Sequence, residues 1–231
     1  MSSRLLSVTF ETAGPAVSGT FWAVVLGRQT IEEDDGVLVP GDPTQVGLRF
    51  VAARTAKSEP NRLHLHLTST TAEGQRRTVD AVLHAGGRRR GDGPLPFGRD
   101  LYMADPGGDE FCVIEPGNAY LEGCGFLGEV TCEGTPAAGR FWAAALGWPI
   151  VWDRDEQIAI QSPSGGTKIA WDGPAEPSAP RWHRQHFDLV TTDVESETQR
   201  LLELGATLRP ARSGPVTLAD PDGSEFSLRR G

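Results

Sequence analysis

Histidines and carboxylates recur here in short runs that alternate with apolar residues. His64 and His66 stand in "LHLHLTS" (63–69), and His186 stands in "QHFDLVT" (185–191). Successive side chains of a strand point to opposite faces. Leu63, Leu65 and Leu67 therefore share one face, while His64, His66 and Thr68 share the other. In the later run Phe187 and Leu189 oppose His186, Asp188 and Val190. "SEFSLRR" (224–230) sets Phe226 and Leu228 against Glu225, Ser227 and Arg229, and its earlier counterparts are Glu110, Cys112 and Ile114. Further polar positions come from "EVTCE" (129–133), with Glu129, Thr131 and Glu133, or from Ser7, Thr9 and Glu11. Imidazole beside carboxylate can hold a divalent ion, move a proton, or line a polar wall without chemistry. His186 with Glu225 is the pair for metal-free acid–base work. His186, Glu225 and Glu129 form a set for a divalent ion, and His64, His66 and Glu110 form another.

Five of the six tryptophans lie in the second half of the chain. Trp142, like Trp22, is expected in a helix core. Trp152, Trp171 and Trp182 fall on strands or their approaches, where they either pack in the core or form flat apolar walls for a ring-bearing ligand. With them, His64, His66 and Glu110 in the first half and Asp188 and Ser227 in the second are the expected ligand contacts.

The composition removes several classes. A net charge of −9 and a single short basic run, "GGRRRGDG" (86–93), argue against nucleic acid. No apolar run reaches the ~18–20 residues of a membrane span, and "MSSRLLSVTF" lacks a secretory core, so a cytoplasmic location is expected. Cys112, Cys124 and Cys132 include no Cys-x-x-Cys spacing. "QSPSGGTK" (161–168) lacks the ending of a phosphate-binding loop.

These residues must be positioned by a repeated scaffold. "TFWAVVLGRQ" (20–29) matches "RFWAAALGWP" (140–149), "LHLHLTS" matches "QHFDLVT", and "ADPGGDEFCV" (104–113) matches "ADPDGSEFSL" (219–228). Two halves follow each other, 1–118 and 124–231, joined near "EPGNAYLEGC" (115–124). In each half the pattern runs strand, helix and short strands, then restarts, which makes two βαβββ units per half.

That order, with the "FWAAALGW" helix, the "HFDLVTTD" strand and the "DPDGSEF" hairpin, resembles the glyoxalase and bleomycin-resistance proteins of the vicinal oxygen chelate superfamily. The resemblance implies an α+β fold: two tandem glyoxalase-like domains, each of two βαβββ units, whose curved mixed sheets enclose a cleft. It also implies a divalent metal held by ligands on the first, fourth, fifth and last strands. Of those positions only the fifth-strand histidine carries over, as His64 and His186. The last-strand position holds Cys112 or Ser227, the first falls near Ser7 or Leu127, and the fourth strand offers no carboxylate. Three functions follow from the resemblance. The first is a small-molecule binding protein without the usual metal or other cofactor. The second is a lyase, isomerase or dioxygenase with an altered metal set or a His–carboxylate pair, and the third is a non-catalytic interaction domain. The fused halves resemble a pseudo-dimer that acts as a monomer or pairs again as a homodimer.

Overall fold

The computed structural model describes residues 3–91, 100–173, 184–210 and 214–231. Four β-α-β-β-β units follow one another. The first comprises β1 (Arg4–Thr12), α1 (Pro15–Leu26), β2 (Ile31–Glu33), β3 (Gly36–Val39) and β4 (Gly47–Ala52). The second comprises β5 (Leu63–Leu67), α2 (Ala72–His84), β6 (Arg88–Arg89), β7 (Leu101–Ala104) and β8 (Glu110–Val113). A connector with one 3-10 turn, Ala119–Leu121, leads to the third: β9 (Leu127–Glu133), α3 (Pro136–Leu146), β10 (Ile150–Arg154), β11 (Gln157–Gln161) and β12 (Lys168–Asp172). The last comprises β13 (Gln185–Thr191), α4 (Val194–Glu203), β14 (Thr207–Leu208), β15 (Val216–Ala219) and β16 (Glu225–Arg230).

The repeated helices begin and end alike for local reasons. Proline opens both α1 and α3, where its missing N–H costs nothing. Gly27 and Gly147 close them at φ 64° and 66°, in the left-handed region that glycine enters without strain.

Pairing between units crosses the two halves of the sequence. The first sheet runs β14-β15-β16-β13-β1-β4-β3-β2 and joins the first unit to the fourth. The second runs β10-β11-β12-β9-β5-β8-β7-β6 and joins the third unit to the second. Its centre is the antiparallel β5–β9 pair, as the antiparallel β1–β13 pair is in the first sheet. Neither half completes a sheet alone.

One apolar core serves both sheets. It takes Val8, Phe10 and Phe187 from the first sheet, Leu65, Phe111 and Val130 from the second, and Trp22 and Trp142 from the helices between them. Trp22 of α1 packs edge-on against Phe111 of β8 at 4.9 Å. Trp142 of α3 packs in the same manner on Phe187 and Phe226, at 4.8 and 4.9 Å. Each indole N–H is buried, so it needs an acceptor. Trp22 Nε1 donates to Asp105 Oδ2 and Trp142 Nε1 to Asp220 Oδ2, both at 3.1 Å. The two repeated motifs, Phe-Trp and Ala-Asp-Pro, are thus donor and acceptor of one contact that ties a helix to the hairpin of the next unit. Because apolar faces turn inward, the polar faces of the two sheets point away from each other.

Burial pushes both Asp105 and Asp220 up to about 6, against the hydrogen bonds that favour their charged forms. A carboxyl raised in the folded state stabilises the fold below its unfolded value, near ~4, and that contribution is lost as pH rises through about 6. Trp142→Phe strips the ionised Asp220 of a donor. We expect a loss of about 1–3 kcal/mol at pH 7.5 in urea denaturation, shrinking at pH 5; equal losses at both pH values would contradict this account. Expressed apart, residues 1–118 and 124–231 are expected to lack cooperative unfolding and to regain it on mixing. A sharp thermal transition in either half alone would show that the shared sheets are dispensable.

Candidate functional site

On the first sheet the polar face is occupied by its own charges. Asp188 of β13 has no solvent exposure and accepts from Thr9 Oγ1 at 2.6 Å, from Arg229 Nη2 at 3.0 Å and from the Ser227 hydroxyl. His186 Nε2 lies 3.5 Å from it and Arg49 Nη1 3.8 Å. Burial disfavours the carboxylate, yet His186, Arg229 and Ser227 outweigh it and hold the group well below the usual carboxylate range. Arg49, on β4, is itself buried and pairs with Glu33 at 2.5 Å and with Asp35. Every formal charge here has a counter-charge within the protein.

His186 and Glu225 do not form the pair suggested by the sequence. His186 turns to Asp188, whereas Glu225 lies 3.6 Å from Arg209. The two share only a void of about 40 Å³, with Glu133, Arg62 and Trp171 in its wall. Clefts for organic ligands are roughly an order of magnitude larger. The set His186, Glu225 and Glu129 is also divided, because Glu129 belongs to the other sheet. Among the described residues no group of three or more His, Cys, Asp or Glu side chains is placed to hold a metal ion.

The second sheet carries a different row. Register places His66 of β5 opposite Cys112 of β8 on one side and Glu129 of β9 on the other, and Glu129 opposite Lys168 of β12. His66 Nδ1 meets Glu129 Oε2 at 2.8 Å. Burial alone would lower the imidazole, but the hydrogen-bonded Glu129 carboxylate and the neighbouring Cys112 push it up to about 10. The pairing with Glu129 favours the charged form of His66. Tyr120, from the connector, lies over this row. Burial, together with the nearby Glu129 carboxylate, pushes its phenol up. Lys168 Nζ sits 4.1 Å from the Tyr120 ring and donates to its carbonyl oxygen. Trp152 of β10 meets the same ring edge-on at 5.3 Å and carries Arg154 over its other side at 5.0 Å.

The remaining expected contacts divide. His64 shares the second face but is satisfied by the Asn61 carbonyl at 2.8 Å, and burial lowers it. Glu110 is paired with Lys57. Asp188 and Ser227 are locked into the first-face network. Trp171 faces the core, 2% exposed, because on β12 it shares the inward side with Ile169, and it borders the void of about 40 Å³ rather than an open cleft. Trp182 lies outside the described residues.

The sequence reading passed over Tyr120 and Lys168. "EPGNAYLEGC" served only as a join, although a tyrosine within a Gly-rich connector was the available signal. Lys168 falls in "QSPSGGTK", which reads only as a stretch lacking the ending of a phosphate-binding loop. Cys112, Ile114, Leu121 and Cys124 form a satellite apolar cluster with Tyr102 and Tyr120 packed against it. Ile114, Ala119 and Leu121 also line a surface depression of about 770 Å³, a volume typical of small-molecule clefts.

If the Glu129 carboxylate holds His66 charged, the Glu129→Gln variant should bring the His66 titration down by two or more pH units, followed through its ring protons by NMR. The His66 contribution to stability is present below ~6.5 and lost as pH rises through about 10. An unchanged midpoint in the variant would contradict the pairing.

Among curated proteins none matches this chain. Among solved structures it is similar to glyoxalase I from Zea mays, at 14% identity over 98% of this chain and 92% of that one, with a TM-score of 0.64. It is also similar to a putative dioxygenase from Bacillus subtilis, at 12% identity over 99% and 85%, with a TM-score of 0.60. At such identities these likenesses speak for the fold alone. The model of the glyoxalase-like domain matches residues 7–114 and again 129–229. With four βαβββ units in two mixed sheets and a family match over each half, the chain belongs to the glyoxalase-like domain family of the vicinal oxygen chelate superfamily.

Proposed function

We propose that this protein binds a small, ring-bearing organic molecule at the polar face of the second sheet, without a divalent metal. The observation that carries this reading is the row Cys112, His66, Glu129 and Lys168 under the rings of Tyr120 and Trp152. Four central strands supply the row, on the face that carries His64 and Cys112, the positions that correspond to the superfamily's ligands, and its four side-chain positions would stand around an ion held there. A lysine ammonium and a protonated imidazole occupy two of them. Neither can donate a lone pair while charged, and both repel a cation. The residues present do not fit the superfamily's metal. They suit an uncharged or anionic ring compound, with aromatic walls for its faces and the ion pair and Lys168 for its polar groups. The first face, with its charges already compensated, serves structure.

A second reading is an enzyme of the superfamily that uses His66 and Glu129 for proton transfer. The charged state of His66 favours it as an acid rather than a base at neutral pH. Binding of a panel of aromatic and conjugated compounds, read by tryptophan fluorescence, tests the first reading. A hit is expected, weakened at least tenfold by Trp152→Ala and indifferent to nickel, zinc, manganese or iron. Stoichiometric metal uptake that disappears in Glu129→Gln would overturn the metal-free assignment. Silence across the panel would overturn the binding role.

A further inference from the structure

Two loops meet across the seam between the sheets. Residues 40–46, between β3 and β4, and residues 162–167, between β11 and β12, hold the same place in the first and third units. Thr167 N donates to the Thr44 carbonyl at 2.7 Å, and Val46 N donates to Thr167 Oγ1 at 3.2 Å. Gln45 Oε1 accepts from Leu127 N and its Nε2 donates to the Cys124 carbonyl, both at 2.9 Å. A Cβ on Gly166 would collide with Thr44, so the close approach of the two loops requires glycine. A cavity lies on either side of this crossing, one of about 560 Å³ at the end of α1 and one of about 660 Å³ at the end of α3.

The two cavities differ at one matching position. Arg28 and Trp148 follow the capping glycines Gly27 and Gly147. Arg28 donates to the Pro40 and Val46 carbonyls at 3.3 and 2.8 Å, so its donors serve the loop. Trp148 packs against the core and lines the larger cavity with Leu38 and Leu146, which makes a flat apolar wall. Among the described residues, the charged side chains lining that cavity are Arg4, at the start of β1, and Asp42. Asp42 Oδ1 accepts from Thr44 N and Thr44 Oγ1 at 2.7 Å and from Gln45 N at 2.9 Å. These bonds fix the carboxylate, hold it below the usual carboxylate range and leave Oδ2 for another donor. We propose that the cavity beside Trp148 is a second binding site, for a ring-bearing zwitterion that lays its ring on Trp148, its ammonium at Asp42 and its carboxylate at Arg4. The volume is that of a small-molecule site, and the place, between two sheets, is where such sites form. Exposed ion pairs are individually weak, so selection rests on both charges acting with the aromatic wall. None of these residues belongs to the polar face of the second sheet, and the site does not depend on the ligand proposed there.

Titration by heteronuclear NMR tests the site with two zwitterions, L-tryptophan and glycyl-L-tryptophan, whose charges stand close together and farther apart. Tryptamine and indole-3-propionate, each lacking one charge, are the comparisons. We expect at least one zwitterion to shift the Trp148 indole N–H resonance with one-to-one stoichiometry, and the single-charge compounds to bind at least threefold more weakly. Asp42→Asn, whose amide oxygen can still accept the turn bonds, should weaken the zwitterion at least threefold and leave indole-3-propionate unchanged. Arg4→Gln should weaken it as much and leave tryptamine unchanged. Trp148→Ala, checked for folding by circular dichroism, should weaken the zwitterion at least tenfold, and Trp152→Ala should not. No shift at Trp148 with either zwitterion, equal binding of all four compounds, or indifference to both Asp42→Asn and Arg4→Gln would overturn the site. The second face is judged separately, because binding of the aromatic panel that survives Trp148→Ala and is lost in Trp152→Ala belongs to that face alone.

Discussion

Two buried hydrogen bonds, Trp22 to Asp105 and Trp142 to Asp220, are the constraint around which this molecule is organised. Each joins a helix to a hairpin whose strands lie in the other sheet from those of the helix's own unit. A carboxylate in an apolar core is costly unless donors surround it. Asp220 meets this condition with the indole N–H on one oxygen and the backbone N–H groups of Asp222 and Ser224 on the other. The pins thus set where the sheets sit relative to each other. Once the apolar faces meet around α1 and α3, the polar faces must look outward, on opposite sides.

Duplication supplied the same scaffold twice, but the two outward faces have different electrostatics. On the first, the Arg49 guanidinium and the Asp188 carboxylate are each enclosed by opposite charges and donors, so an incoming polar group would have to displace internal ion pairs. On the second, Lys168 forms no ion pair among the described residues and rests on an aromatic ring. His66 pairs with the Glu129 carboxylate beside Cys112, and Tyr120 reaches over from the connector. A connector tyrosine has no counterpart on the first face, so the linker between halves contributes directly to the difference.

Much of this was legible in residue order. The Phe-Trp helices, the Ala-Asp-Pro hairpins and the alternation in "LHLHLTS" and "QHFDLVT" locate elements and separate core from polar faces, because both signals depend only on local periodicity. What could not be read was which strands are neighbours. Nor could side-chain choice be read: His186 and Glu225 stand on the paired strands β13 and β16, yet His186 turns to Asp188 and Glu225 to Arg209. Trp171 looked like a cleft wall because an isolated tryptophan on a strand does not declare its side, whereas on β12 it falls in line with Ile169 and the core.

The amino-acid order by itself determined four βαβββ units, their inward faces and the capped helices, since each follows from spacing along one stretch of chain. Only the tertiary structure decided that the first unit pairs with the fourth and the second with the third. That choice brings Glu129 from one half to His66 and Cys112 from the other. Contacts between residues far apart in sequence come from sheet pairing and packing, which no local pattern encodes, and the candidate chemistry of this protein consists of such contacts.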